Sequence, residues 1–66
     1  MNIKVNGEVH SVEVEISIKG LLDVFAIKPE AVVVEHNLKI IGKELWETTI
    51  LQENDSIEIV RFVGGG

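Results

Sequence analysis

The sequence of 66 residues contains no cysteine and only one proline. Without cysteine, it can form neither a disulfide framework nor a thiolate metal site, and it has no cysteine nucleophile. Its uninterrupted apolar runs are a few residues long, whereas a membrane-spanning helix needs roughly twenty. Because residues 1–5 also carry no apolar signal segment, we expect a cytoplasmic protein with no membrane partner.

Basic residues are scarce as well. Six Lys and Arg stand against eleven Asp and Glu, which gives a formal net charge of −5. That charge repels phosphate backbones and anionic lipid headgroups, and no basic stripe or arm offsets it. We therefore expect no nucleic-acid partner.

The length sets the scale of the fold. Compact domains begin near about fifty residues, so this sequence holds a single domain. Its 45% hydrophobic and 26% charged residues are typical of a globular protein. A protein of this size buries only roughly 60% of its unfolded surface and has little room for a closed active site. We expect a carrier or binding module, not an enzyme that acts alone.

The first part of the sequence predicts a β-hairpin. Apolar residues occupy the odd positions of residues 1–5 and the even positions of residues 12–16. Between these segments, Asn6-Gly7 favours a tight turn in which both residues take positive φ. If that turn places Val5 opposite Glu8, both apolar sets lie on one face of the hairpin.

The following residues predict one helix. Ser17 is a suitable N-cap, and apolar residues recur with helical spacing from Ile18 to Ala26. Pro29 should end this helix at or before Lys28.

The remaining sequence predicts two long strands and a short irregular region. Residues 31–34 form a β-branched run typical of a central strand, and residues 57–63 form the last strand. Between them we expect a short strand at 40–41, a turn at Gly42 and one helical turn at 43–46. This order predicts an α+β protein of the β-grasp type, with one main helix packed across a curved mixed sheet of four to five strands. We expect residues 1–63 to form this domain and residues 64–66 to form a flexible tail.

The sequence offers no ordinary catalytic constellation, and we assign no catalytic residue. His10 and His36 lie in unrelated elements, and we interpret both as surface or strand-edge residues without a metal site. Glu13 and Glu15 would share one outward strand face as solvating side chains. We interpret Trp46 as core or rim packing rather than as a binding platform.

The most informative feature is the run of Gly64, Gly65 and Gly66 after the last strand. Such a tail can thread a channel in which any Cβ would clash, so that the terminal backbone carboxylate becomes the reacting group. A carboxylate is a poor electrophile, and an acyl-adenylate made from ATP is a usual way to activate it. The activated carbonyl can accept sulfur or an amine. We interpret the protein as a covalent carrier charged by another enzyme; a tail without chemistry is the alternative.

The last strand predicts where a partner docks. If Ile57 and Ile59 face the core, Val60 and Phe62 point outward beside the tail. An exposed aromatic and an exposed valine beside a functional tail indicate a docking patch. The alternative is a bend or bulge that turns Phe62 inward.

Over its whole length the sequence resembles the ThiS family, the sulfur carriers of thiamine biosynthesis. The resemblance rests on the length, the order of elements, and three segments: VVVEHN at 32–37, IGKELW at 41–46 and IEIVRFVGGG at 57–66.

The resemblance implies a ThiF-like, E1-type adenylyltransferase that activates Gly66 with ATP and Mg²⁺, while the carrier itself binds no cofactor. Sulfur from a cysteine desulfurase persulfide would replace AMP, and the resulting thiocarboxylate would donate it to the thiazole synthase ThiG. By position, Gly64 and Gly65 are the threading residues, and Phe62 and Val63 lie at the partner interface.

Three alternatives remain open from the sequence. The small subunit of molybdopterin synthase uses the same thiocarboxylate, but it is typically longer and carries a proline shortly before Gly-Gly, which this sequence lacks. A ubiquitin-like modifier would instead form isopeptide bonds to lysines. A passive interaction domain would use its tail for no chemistry.

Overall fold

The computed structural model describes residues 1–61, which form one sheet and one α-helix. In sequence order the elements are β1 (Asn2–Val5), β2 (Glu8–Ser11), α1 (Ile18–Val24), β3 (Val32–His36), β4 (Lys39–Ile41) and β5 (Ser56–Arg61). Single 3₁₀ turns at Pro29–Ala31 and Lys43–Leu45 precede β3 and follow β4.

The strands lie in the order β2-β1-β5-β3-β4, so the last strand occupies the centre of the sheet. β1 and β5 run parallel, whereas the other neighbouring strands run antiparallel. Helix α1 packs across one face, where Leu21 and Leu22 are fully buried in a core shared with Val34 and Ile57. This is the α+β architecture of the β-grasp type, and it confirms the predicted fold.

The predicted hairpin is confirmed at its turn and is wrong at its far end. Val5 lies opposite Glu8, as the two-residue turn requires. The second strand, however, ends at Ser11 instead of continuing through residues 12–16, and Val14 is 73% exposed. The backbone carbonyl of Ile16 accepts a hydrogen bond from Leu51 N at 2.9 Å, so pairing with a distant segment replaces the hairpin there.

Helix α1 begins as predicted. The Ser17 Oγ accepts a hydrogen bond from Gly20 N at 2.9 Å, which satisfies one of the free N–H groups of the first turn. The helix ends at Val24, before Lys28 as expected, because Ala26 has a φ of 56° that cannot continue a helix. Residues 25 and 26 of the predicted apolar stripe therefore follow the helix.

The elements between α1 and β5 agree with the prediction, except at Gly42. β3 is an interior strand, although Val33 on the outer face of the sheet is only half-buried. The short strand and the helical turn that follows it are present, whereas Gly42 is extended, with φ −67° and ψ 151°, and forms the N-cap of that helical turn instead of a turn of its own. Trp46 is 2% exposed, and its Nε1 donates to Ile41 O at 3.0 Å. Its interpretation as core packing is confirmed.

Candidate functional site at the end of the central strand

The candidate site is the C-terminal end of β5, from which the polypeptide continues toward the glycines. Ile57 and Ile59 are buried in the core, whereas Val60 is 52% exposed on the opposite face. The predicted alternation is therefore confirmed for residues 57–60. Phe62 and residues 63–66 lie outside the described residues, so their roles as interface, threading and modified residues stay predictions.

The outer face of the sheet around Val60 combines an apolar pair with an acidic pair. Val60 lies directly opposite Val33 on β3, and Glu58 lies opposite Glu35. Side chains that face each other across an antiparallel pair lie close enough to form one surface. A partner that docks beside the end of β5 would meet this apolar and acidic surface.

On the edge of β5 that faces β1, the side chain of Asn6 forms hydrogen bonds with the backbone of the strand. Its Oδ1 accepts a hydrogen bond from Ile59 N at 2.7 Å, and its Nδ2 donates to Ile59 O at 3.3 Å. The backbone N–H of Asn6 also donates to Ile57 O at 2.8 Å. Asn6 itself has a φ of 50°, because it is the first residue of the hairpin turn.

A polar cluster lies at the opposite end of β5, where His36 contacts Asp55. The Asp55 Oδ2 accepts from His36 Nε2 and from Gln52 N, both at 2.8 Å, and Oδ1 accepts from Asn37 Nδ2 at 3.1 Å. Burial raises the pKa of Asp55, but hydrogen bonds from His36, Gln52 N and Asn37 outweigh it, so the pKa lies below its ordinary value. His36 is thus a half-buried partner of Asp55 on an interior strand, and its interpretation as a surface or strand-edge residue is wrong.

The other candidate side chains do not form a site. His10 lies on the edge strand β2, as expected, and its ring makes an edge-on contact with Phe25 at a centroid distance of 5.1 Å. Glu13 and Glu15 do not share a strand face, because both follow the end of β2 and Glu15 has a φ of 67°. This corrects the predicted arrangement.

Residues 1–61 offer neither a metal-binding cluster nor a membrane-spanning helix. No group of three or more His, Cys, Asp or Glu side chains in this range is arranged to hold a metal ion. No helix in the same range is long and apolar enough to cross a membrane.

The fold and this strand end can be compared with known proteins. A family model described as "ThiS family" matches residues 3–66. The chain belongs to the ThiS family. The crystal structure of the thiamine biosynthesis protein ThiS from Geobacter metallireducens superimposes on this protein with a TM-score of 0.88, at 30% identity and with both chains fully covered. A structural ThiS neighbour of this similarity agrees with the β-grasp assignment.

Two curated relatives of this ThiS-family protein differ in name and in length. The sulfur carrier protein ThiS of Bacillus subtilis is 46% identical over 50 residues, which cover 76% of each protein. A thiazole synthase of Magnetococcus marinus is 41% identical over 66 residues, which are 100% of this chain but 20% of that protein. The chain thus spans about one fifth of the length of the thiazole synthase that it matches.

Sequence reasoning missed two features of this ThiS-family structure. The sequence predicts the turn at Asn6 but not the hydrogen bonds between the Asn6 amide and Ile59, because Ile59 lies 53 residues further along the sequence. The contact between His36 and Asp55 was likewise missed. Asp55 lies among the turn-forming residues 53–56 that precede the last strand, but nothing local in the sequence indicates which histidine it contacts.

Proposed function

We propose that this ThiS-family protein is the sulfur carrier for thiazole formation in thiamine biosynthesis, and that it is a substrate of partner enzymes rather than an enzyme. The observation that carries the proposal is the ThiS family match, which extends from residue 3 through the glycines to Gly66. The relative named sulfur carrier protein ThiS supports the same function. In the sequence those glycines follow β5 closely, so the reacting carboxylate would be attached to the central strand of the sheet.

The proposed chemistry takes place on the carboxylate of Gly66. A carboxylate oxygen attacks the α-phosphorus of ATP in a ThiF-like, E1-type adenylyltransferase, which supplies Mg²⁺, and pyrophosphate leaves. A persulfide sulfur provided by a cysteine desulfurase then attacks the acyl carbon, and AMP leaves. A thiol cleaves the resulting acyl disulfide, so that one oxygen of the carboxylate is finally replaced by sulfur. Gly64 and Gly65 contribute no side chain, which allows the carboxylate to enter a narrow channel.

The proposed recipient of the sulfur is a thiazole synthase of the ThiG type. In Magnetococcus marinus and Paramagnetospirillum magneticum, proteins named thiazole synthase contain a segment similar to the whole of this chain. Fusion of two segments in one protein supports their action on each other. On the carrier, we propose that Val60 forms the partner interface together with Phe62 and Val63, because Val60 is exposed beside the end of β5.

The test is mass spectrometry of the intact protein. Incubation with the cognate adenylyltransferase, Mg²⁺-ATP, a cysteine desulfurase and cysteine should add the mass difference between sulfur and oxygen. Gly66→Ala should keep the fold and lose the modification. An unchanged mass for the wild type under conditions that charge another ThiS protein would overturn the proposal. Isopeptide adducts on lysines would identify a protein modifier instead.

A further inference from the structure

The parallel pairing of β1 with β5 stops at Asn6, where the hairpin turn begins. Lys4 N donates to Asp55 O at 2.9 Å, and Asn6 N donates to Ile57 O at 2.8 Å, as in a regular parallel ladder. If the ladder continued, the backbone carbonyl of residue 6 would accept from Ile59 N, and the backbone N–H of residue 8 would donate to Ile59 O. The polypeptide instead turns away at Asn6-Gly7, where both residues have positive φ.

The side chain of Asn6 replaces both missing backbone groups. Its Oδ1 accepts from Ile59 N at 2.7 Å, and its Nδ2 donates to Ile59 O at 3.3 Å. This position needs a residue that tolerates positive φ and carries a donor and an acceptor on one short planar group, which asparagine provides. Aspartate would offer acceptors alone, and glycine would offer the backbone conformation alone.

The Asn6 amide holds β5 close to the point where the strand ends. On the β3 edge, Val33 pairs with Val60 and Val32 pairs with Arg61. On the β1 edge, the Asn6 amide is the hydrogen-bond partner nearest to the C-terminal end of β5 within residues 1–61. Both edges of the strand are thus hydrogen-bonded at this point, which restrains movement of the strand within the plane of the sheet.

We propose that Asn6 is a positioning residue for the carrier reaction: by holding Ile59 against β1, its amide fixes the direction in which the polypeptide leaves the sheet toward the glycines. This inference rests on the proposed function. When the folded body docks on a partner, a fixed exit direction delivers the terminal carboxylate to the reacting atoms. A loosened strand end would leave docking intact and would lower the fraction of docked carriers that are aligned for reaction.

Two variants distinguish the effect of the Asn6 amide from the effect of the turn conformation. Asn6→Gly keeps the positive φ and removes both hydrogen bonds to Ile59, whereas Asn6→Asp keeps an acceptor and loses the donor. Hydrogen exchange at the Ile59 amide, measured by NMR on the isolated protein, should become about tenfold faster in Asn6→Gly. Asn6→Asp should show an intermediate rate.

The activity measurement is charging by the cognate adenylyltransferase with Mg²⁺-ATP, at varied carrier concentration. For Asn6→Gly we expect kcat to fall about tenfold with KM within about twofold of the wild type, because alignment is lost and docking is kept. Asn6→Asp should recover part of the kcat. Ser17→Ala is the control, since it removes the cap of α1 and should lower stability by about 1 kcal/mol without removing a hydrogen bond to β5.

The outcomes distinguish this inference from the proposed function. Faster exchange at Ile59 in Asn6→Gly with an unchanged kcat overturns the positioning role and leaves the carrier function standing. An equal loss of kcat in Ser17→Ala also overturns it, because general destabilisation would then explain the effect. A wild type that is never charged overturns the proposed function, and this inference with it.

Discussion

The Nε2 of His36 lies 2.8 Å from the Oδ2 of Asp55 and connects the end of β3 to the residue before β5. Asp55 is only 9% exposed, yet both its oxygens accept hydrogen bonds, from His36, Asn37 and the backbone of Gln52. A buried carboxylate of this kind is stable because each acceptor faces a donor. The pair therefore fixes the start of the central strand.

We expect Asp55→Asn to lower the free energy of unfolding by about 1–3 kcal/mol, because the new NH₂ group would face a donor and leave a buried polar group unpaired. Urea denaturation measures the loss. Asp23→Asn is the matched control: Asp23 accepts from Lys19 at 2.8 Å on the surface, where solvent screening leaves an ion pair with little effect on stability. Equal losses in the two variants would contradict a special role for Asp55.

The stability should depend on pH through Asp55. Its pKa in the folded protein lies below 3.8, so the folded state favours the ionised carboxylate more than the unfolded state does. The resulting stabilisation is fully present above the unfolded pKa and is lost as the pH falls through the folded pKa. The difference in unfolding free energy between the wild type and Asp55→Asn should therefore shrink below about pH 4. In urea titrations at several pH values, Glu13→Gln serves as the control, and a difference that stays constant with pH would contradict the assignment.

We expect Val60→Asp to fold normally and to be charged poorly. Val60 is 52% exposed on the outer face of an interior strand, so the protein should stay folded and lose about 1 kcal/mol of unfolding free energy through the low strand propensity of Asp. If it contacts the adenylyltransferase, a buried charge there should raise the KM for the carrier about tenfold. Val14→Asp, at a side chain that is 73% exposed after β2, should leave the KM unchanged. Equal KM values in Val60→Asp and the wild type would remove Val60 from the interface.

Trp46→Phe should lower the free energy of unfolding by about 1–3 kcal/mol, because it removes buried volume and the hydrogen bond from Nε1 to Ile41 O. Thermal or urea unfolding followed by circular dichroism measures this loss. Leu38→Ala, at an 88% exposed position, should change stability by less than about 0.5 kcal/mol. A loss of that small size in Trp46→Phe would place the indole outside the core.

The parts of the fold that depend on neighbouring residues were predictable from the sequence. The turn that sets Val5 opposite Glu8 and the cap at Ser17 follow from local backbone chemistry. The alternation of apolar residues at 12–16 predicts a strand that is not formed. There the Ile16 carbonyl accepts a hydrogen bond from Leu51 N, so a contact between distant segments determines the local structure. The periodicity of one segment does not indicate which distant segment it will contact.

The same limit applies to the candidate site. The outward orientation of Val60 follows from strand alternation alone. The hydrogen bonds between Asn6 and Ile59 depend on the parallel pairing of β1 with β5, in which Lys4 lies beside Ser56. The contact of His36 with Asp55 depends on the antiparallel pairing of β3 with β5, in which His36 lies opposite Ile57. Both pairings join segments that are distant in the sequence, so they become visible only in three dimensions.

The central place of β5 also determines when the domain can form during translation. The β1–β2 hairpin and the β3–β4 hairpin have no direct pairing within residues 1–61, and each reaches the other through Ser56–Arg61. A ribosome synthesises those residues after both hairpins, so the nascent polypeptide can join the two hairpins only after Ser56–Arg61 have emerged. A product that terminates before these residues would therefore lack the middle strand of its sheet.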